Sequence, residues 1–129
     1  MYTLKILKHE TIKNIINLKK EEIYIYFLKN NNVVKFKKLN QGEKDFVSLD
    51  MKKMDIVKNE YNNINAEGIV LLHNHPNFLF FKSPLPSDKD VEGTVVFAQY
   101  CKNHNIKFID HIILCNTKKY FSFVENGLM

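Results

Sequence analysis

Arginine is absent from this chain: all 19 basic residues are lysine, set against 14 acidic ones, for a formal net charge of +5. Proteins that read nucleic acid lean on the planar guanidinium fork for bidentate contacts to bases and phosphates. The positive balance is therefore weak support for a nucleic-acid partner, and a solvated lysine-rich surface accounts for it better. Cysteine is scarce as well. Cys101 and Cys115 are the only two, and neither belongs to a CxxC pair, which argues against a thiolate zinc site and a disulfide framework. No apolar run is long enough to span a bilayer, and the N-terminus lacks the form of a signal peptide, so a cytoplasmic protein with reduced thiols and no membrane partner is expected. Repeats, low-complexity linkers and internal boundaries are missing too. The chain's 129 residues suit a single domain, 1–129, with one core.

What is present is an interleaving of strand-like and helix-like patterns. Ile12, Ile15 and Ile16 form a helical stripe near the start. Ile23 to Leu28 is a β-branched and aromatic run, Asn30-Asn31-Asn32 supplies turn residues, and Val33 to Leu39 reads as the second strand of a hairpin. Phe46-Val47-Ser48 suggests a short strand. Asp50 is placed to cap a helix through Tyr61, with Met51, Met54, Val57 and Tyr61 inward. Gly68 to His75 follows as a buried strand. Pro86-Ser87 then opens a helix burying Val91, Val95, Ala98 and Cys101, closed by Asn103-His104-Asn105. Ile106 to Leu114 reads as a central strand, Asn116 to Lys119 as a turn, and Tyr120 to Val124 as a last strand. Strands alternating with helices indicate an α/β or α+β domain.

The chemistry concentrates in His73-Asn74-His75-Pro76 and Pro86-Ser87-Asp88-Lys89-Asp90. On a strand, residues two apart share a face, so His73 and His75 project together and Asn74 points away, into a supporting role. Ser87-x-x-Asp90 at a helix start offers a third ligand, and zinc takes three protein ligands with an open position where it does chemistry. Each half alone has a structural alternative. Two histidines on a strand can simply be hydrogen-bonded, and Ser-x-x-Asp is also the pattern of an N-cap with an acidic third residue. Together they favour a metal.

His-x-His-Pro followed by Ser-x-x-Asp resembles the JAMM (JAB/MPN) metalloprotease motif. In detail the chain resembles the RadC-like branch: His73-Asn74-His75-Pro76 matches HNHP, Pro86-Ser87-x-x-Asp90-Val91-x-x-Thr94 matches PSxxDIxxT, Ile109-Asp110-His111-Ile112-Ile113 matches LDHII, and Ser122-Phe123 matches a terminal SF. The resemblance runs from about Glu21 to the end. It implies an MPN/JAB1-type curved mixed sheet flanked by helices, in a cytidine-deaminase-like layout. It implies Zn²⁺ on His73, His75 and Asp90, and a zinc-dependent metallopeptidase or isopeptidase that hydrolyses an amide bond. The expected substrate is a peptide or protein with a C-terminal or isopeptide linkage. The family's general base is a Glu at the start of an early strand, which points to Glu22, with Glu21 as the alternative; its motif serine, here Ser87, donates to the oxyanion. Asp88 has the wrong spacing for a ligand.

Asp110 and His111 lie on one strand and alternate to opposite faces. They are either a buried hydrogen-bonded pair or support for a ligand histidine. His9 and His104 are expected at the surface or a helix end. The segment between His75 and Ser87 is about four residues longer than the family's spacing, with Asn77-Phe78 in place of Ser-Gly and no ligand three residues after Ser83. The four consecutive apolar residues Phe78 to Phe81 fall in it. Phe78, Phe80 and Phe81 are expected either at the rim of the site, gripping a substrate or a second copy of the chain as a homodimer, or folded back as an extra edge strand or into a gap in the core. The family's helix-hairpin-helix region is not seen, so a stand-alone catalytic-type domain is expected. Two other function classes stand beside the peptidase: a DNA-repair-associated RadC-type protein, which the missing helix-hairpin-helix and missing arginine disfavour, and a non-catalytic MPN interaction module, which the complete ligand set disfavours.

Overall fold

In the computed structural model, residues 6–8, 12, 15, 20–40, 49–75, 83–115 and 119–129 are described. The expected strand at 46–48 and most of the turn at 116–119 lie outside them. Strand β1 (Ile23–Lys29) and strand β2 (Asn32–Lys38) form an antiparallel hairpin. Asn30 and Asn31 close it with φ of 52° and 64°, the left-handed pair that a two-residue turn between twisted strands requires and that asparagine tolerates. Helix α1 (Met51–Asn63) follows, capped by Asp50, whose side chain accepts the Lys53 N–H. Strand β3 (Gly68–Asn74), helix α2 (Asp88–Asn103), strand β4 (Phe108–Leu114) and strand β5 (Tyr120–Ser122) complete the order.

The strands form one mixed sheet in the order β2-β1-β3-β4-β5, with β3 and β4 parallel and the other pairs antiparallel. This is the expected α/β architecture. β3 occupies the middle, and all seven of its residues are buried. One sheet face, carrying Ile23, Ile25, Phe27, Ile69 and Leu71, packs against Met54, Val57 and Tyr61 of α1 and Phe97, Tyr100 and Cys101 of α2. The other face, carrying Tyr24, Tyr26, Leu28, Val70 and Leu72, is covered by Ile6, Ile12 and Ile15. Tyr100 donates to Asp55 across the two helices.

Two expected core positions are corrected. Met51 is 60% exposed, because it opens the first turn of α1 ahead of the buried stripe Met54, Val57, Tyr61. Val95 is also 60% exposed. The inward face of α2 is set instead by Asp90, Thr94, Phe97 and Cys101, spaced four, three and four apart. Asp90 has to look back at β3, and that fixes the helix rotation.

Candidate metal centre

β3 delivers His73 near its C-terminal end and His75 just beyond it, and the parallel β4 and the start of α2 bring His111 and Asp90 against them. Asp90 sits at the third position of α2. Ser87 caps the helix by accepting the Asp90 N–H at 3.1 Å, and its own N–H donates to Asp90 Oδ2 at 2.9 Å. The capping box and the ligand reading therefore describe the same residues. The cap holds the Asp90 side chain in place, and the carboxylate faces the imidazoles.

His73 Nε2 lies 3.1 Å from His75 Nε2 and 3.5 Å from Asp90 Oδ1, and His75 Nε2 lies 3.1 Å from Asp90 Oδ2. Ligand atoms bound at 2.0–2.1 Å to a tetrahedral zinc would stand about 3.3–3.4 Å apart, close to these contacts, of which the two to Asp90 are made to different carboxylate oxygens. The donor chemistry agrees. His75 Nδ1 is 3.0 Å from the Ser83 carbonyl, which can only accept, so that nitrogen carries the proton and Nε2 presents its lone pair. Burial alone would lower the His75 pKa, but the Asp90 contact and then the Ser83 carbonyl outweigh it and raise it. Burial alone would raise the Asp90 pKa, yet its contacts with His73, His75 and the Ser87 N–H hold it well below the usual carboxylate range. Electrostatics that draw a proton to these atoms also favour a metal cation in its place.

Around this triangle the fold is specific. His73 Nδ1 meets His111 Nε2 at 2.7 Å, His111 Nδ1 meets Thr94 Oγ1 at 2.7 Å, and Thr94 donates to the Asp90 carbonyl at 2.6 Å. His111 stacks on Phe123 with ring centroids 4.5 Å apart. Its pKa falls well below the ordinary value, chiefly through burial and then the neighbouring His73. Asp110 does not reach the centre. It accepts from Ser122 Oγ at 2.5 Å and from Val124 N at 3.1 Å, tying the C-terminal turn to β4. Of the expected supporting pair, only His111 touches a candidate ligand.

The two candidate bases, Glu22 and its alternative Glu21, take opposite sides of the chain entering β1. Glu22 turns to the face of β1 that carries Tyr24, where it accepts from the Tyr24 hydroxyl and pairs with Lys38 Nζ at 2.7 Å. Glu21 shares the face of Ile23, the residue paired with His73, and its Oε1 lies 3.9 Å from His73 Nε2. Two buried asparagines hold this turn of chain. Asn74 accepts the Glu22 N–H at 2.7 Å and donates to the Lys20 carbonyl at 2.9 Å. Asn40 accepts the Ile23 N–H at 2.6 Å and donates to the Glu21 carbonyl at 3.3 Å. The peptide joining Glu21 to Glu22 is thus gripped at its oxygen and at its nitrogen. The supporting role expected of Asn74 has a definite partner, whereas Asn40 gave no signal in the sequence, where Ser83 stands out for its distance from His75 and not as a partner of the His75 ring.

Asp88 is exposed and outside the triangle. Phe78, Phe80 and Phe81 lie outside the described residues. A cavity of about 440 Å³ opens beside the centre, lined by His73, Asp90 and His111 together with Ile23, Leu71 and Gly93.

The profile of the RadC-like JAB domain matches residues 4–128. The chain belongs to the RadC-like JAB domain family. Among its curated relatives, a UPF0758 protein of Fusobacterium nucleatum is 34% identical over 110 residues, covering 84% of this chain and 44% of the relative. A UPF0758 protein of Flavobacterium johnsoniae is 31% identical over 109 residues, with 84% and 44% covered. One from Aquifex aeolicus is 35% identical over 66 residues, with 51% and 26% covered. The chain spans less than half the length of these relatives. Among the described residues, no helix is long and apolar enough to cross a membrane.

Proposed function

We propose that this RadC-like JAB domain is a zinc-dependent hydrolase of amide or isopeptide bonds. The observation that carries the reading is the convergence of His73 Nε2, His75 Nε2 and the Asp90 carboxylate at zinc-ligand spacing, with a carboxylate just outside the triangle. A zinc ion on these three residues would supply a water with a pKa of roughly 7 and a Lewis acid for a carbonyl oxygen. Glu21, whose carboxylate comes within 3.9 Å of His73 Nε2, would take a proton at its carboxylate and return it to a leaving amine. Ser87 Oγ accepts from Asp90 N, which leaves its hydroxyl proton to donate to a developing oxyanion in this reading. The neighbouring cavity would seat the substrate chain, expected to be a peptide or protein with a C-terminal or isopeptide linkage.

The test is metal analysis of protein purified without an affinity tag, followed by incubation with a pool of isopeptide-linked and C-terminally extended peptides read by mass spectrometry. About one zinc per chain and cleavage abolished by a chelator are expected. Absence of bound zinc, or cleavage that survives chelation, overturns the reading.

A further inference from the structure

We infer that Thr94 and His111 form a one-directional hydrogen-bond relay that fixes the proton of His73 on Nδ1 and so turns the bare Nε2 toward the metal site. The inference rests on the zinc reading of His73, His75 and Asp90, and adds two positioning residues to it.

The direction follows from what each group can donate. The Asp90 carbonyl has no proton, so at 2.6 Å the Thr94 hydroxyl must donate to it. A hydroxyl has only one proton, so at 2.7 Å Thr94 Oγ1 accepts from His111 Nδ1. His111 is 3% exposed, stacked on Phe123 and without a carboxylate partner of its own among its hydrogen bonds, so it is a neutral ring with a single N–H. With that proton on Nδ1, His111 Nε2 is an acceptor, and at 2.7 Å it takes the Nδ1 proton of His73. His73 is left with a lone pair on Nε2, the atom that faces His75 and Asp90.

The relay begins and ends on ligand residues: its last acceptor is the main chain of Asp90 and its first donor is His73. Helix α2 therefore sets the tautomer of a histidine on β3. Ligand histidines are commonly oriented by a carbonyl or a carboxylate, and losing such support costs 10–100-fold in metal affinity. Here the support is a second, neutral histidine, which has two tautomers itself and needs Thr94 to choose between them. Removing the hydroxyl frees His111 to carry its proton on Nε2, which would make it a donor toward His73 and force the His73 proton onto the ligating nitrogen.

The experiment reads tautomers and affinity separately. In metal-free protein with ¹⁵N-labelled histidine, long-range ¹H–¹⁵N correlations should show His73 and His111 both protonated on Nδ1. The isosteric Thr94→Val should fold normally by circular dichroism and bind zinc about 10–100-fold more weakly than the parent. Thr94→Ser, which restores the hydroxyl, should recover parental affinity. A His73 proton on Nε2 in the parent protein, or unchanged zinc affinity in Thr94→Val, overturns the relay. A parent protein that binds no zinc counts against the metal reading alone, since the tautomers of the metal-free protein still decide the relay.

Discussion

The Glu21 carboxylate comes within 3.9 Å of His73 Nε2, while its neighbour Glu22 is turned to the opposite face of the strand and pairs with Lys38. Adjacent, chemically identical side chains thereby have different surroundings, and under the proposed function Glu21 is the base. Glu21→Gln should retain zinc, because the residue lies outside the ligand triangle, and should lose roughly 10²–10⁴-fold in hydrolysis rate, the usual cost of removing a positioned general base. Glu22→Gln should retain both zinc and hydrolysis, with a small change in melting temperature from weakening a partly exposed ion pair. Rates and zinc content of the two variants, measured side by side, check the assignment. A dead Glu22→Gln with an active Glu21→Gln would reverse it.

Asn40 and Asn74 are 2% and 1% exposed, and together they hold four backbone groups between Lys20 and Ile23. Replacing either by leucine leaves buried N–H or C=O groups unpaired, at about 1–3 kcal/mol each. Asn74→Leu should lower the melting temperature. It should also reduce the turnover number more than the zinc content, because the freed segment carries Glu21 rather than a ligand. A thermal melt with parallel zinc analysis separates the two effects. Equal losses of zinc and turnover would show that the asparagine supports the ligands instead.

Much of this arrangement is legible before folding. The shared side of the two histidines and the Ser87–Asp90 capping box follow from spacing, since a strand sends residues two apart to one side and a helix start orients its third residue; Asp90 is a candidate third ligand only when the two motifs are read together. The parity of β1 is harder. Ile23, Ile25 and Phe27 pack on the helices while Tyr24, Tyr26 and Leu28 pack on the other side. A strand buried on both faces reads as one apolar run with no alternation. Nothing in it says which glutamate shares the histidine face, and only the pairing of Ile23 with His73 decides that. The inward stripe of α2 was obscured for a related reason: it includes Asp90 and Thr94, which hydropathy alone would place outside. Asn40 is tied to residues 17 and 19 positions away, beyond any local pattern.

Gly93 lies inside α2, and a Cβ built on it meets nothing within 4 Å. Glycine in a helix interior costs about 0.8–1.0 kcal/mol relative to alanine, so Gly93→Ala should raise the melting temperature and leave zinc content unchanged. Gly93 also lines the cavity beside His73 and Asp90. Gly93→Leu should therefore keep zinc and fold while weakening substrate binding, read as a higher KM. If Gly93→Leu cleaves with parental KM, the substrate does not use this cavity.

Zinc itself should stabilise the fold, because all three ligands are assembled only when β3 and the start of α2 are docked. A ligand that binds the native state alone contributes about 2.7 kcal/mol at a hundredfold excess over its Kd. The parent protein should therefore melt several degrees higher with zinc than after chelation. Asp90→Asn is the informative variant, since its amide oxygen can still accept the Ser87 N–H and preserve the helix cap. It should lose most of the zinc-dependent rise while changing little in chelator. His73→Ala should lose the rise as well, from a lower starting point, because it also removes the bond to His111. Asp88→Ala, altering an exposed residue two positions away, should show the full rise. Melting curves with and without zinc across the four proteins check this. An undiminished rise in Asp90→Asn and His73→Ala would place the zinc elsewhere on the chain.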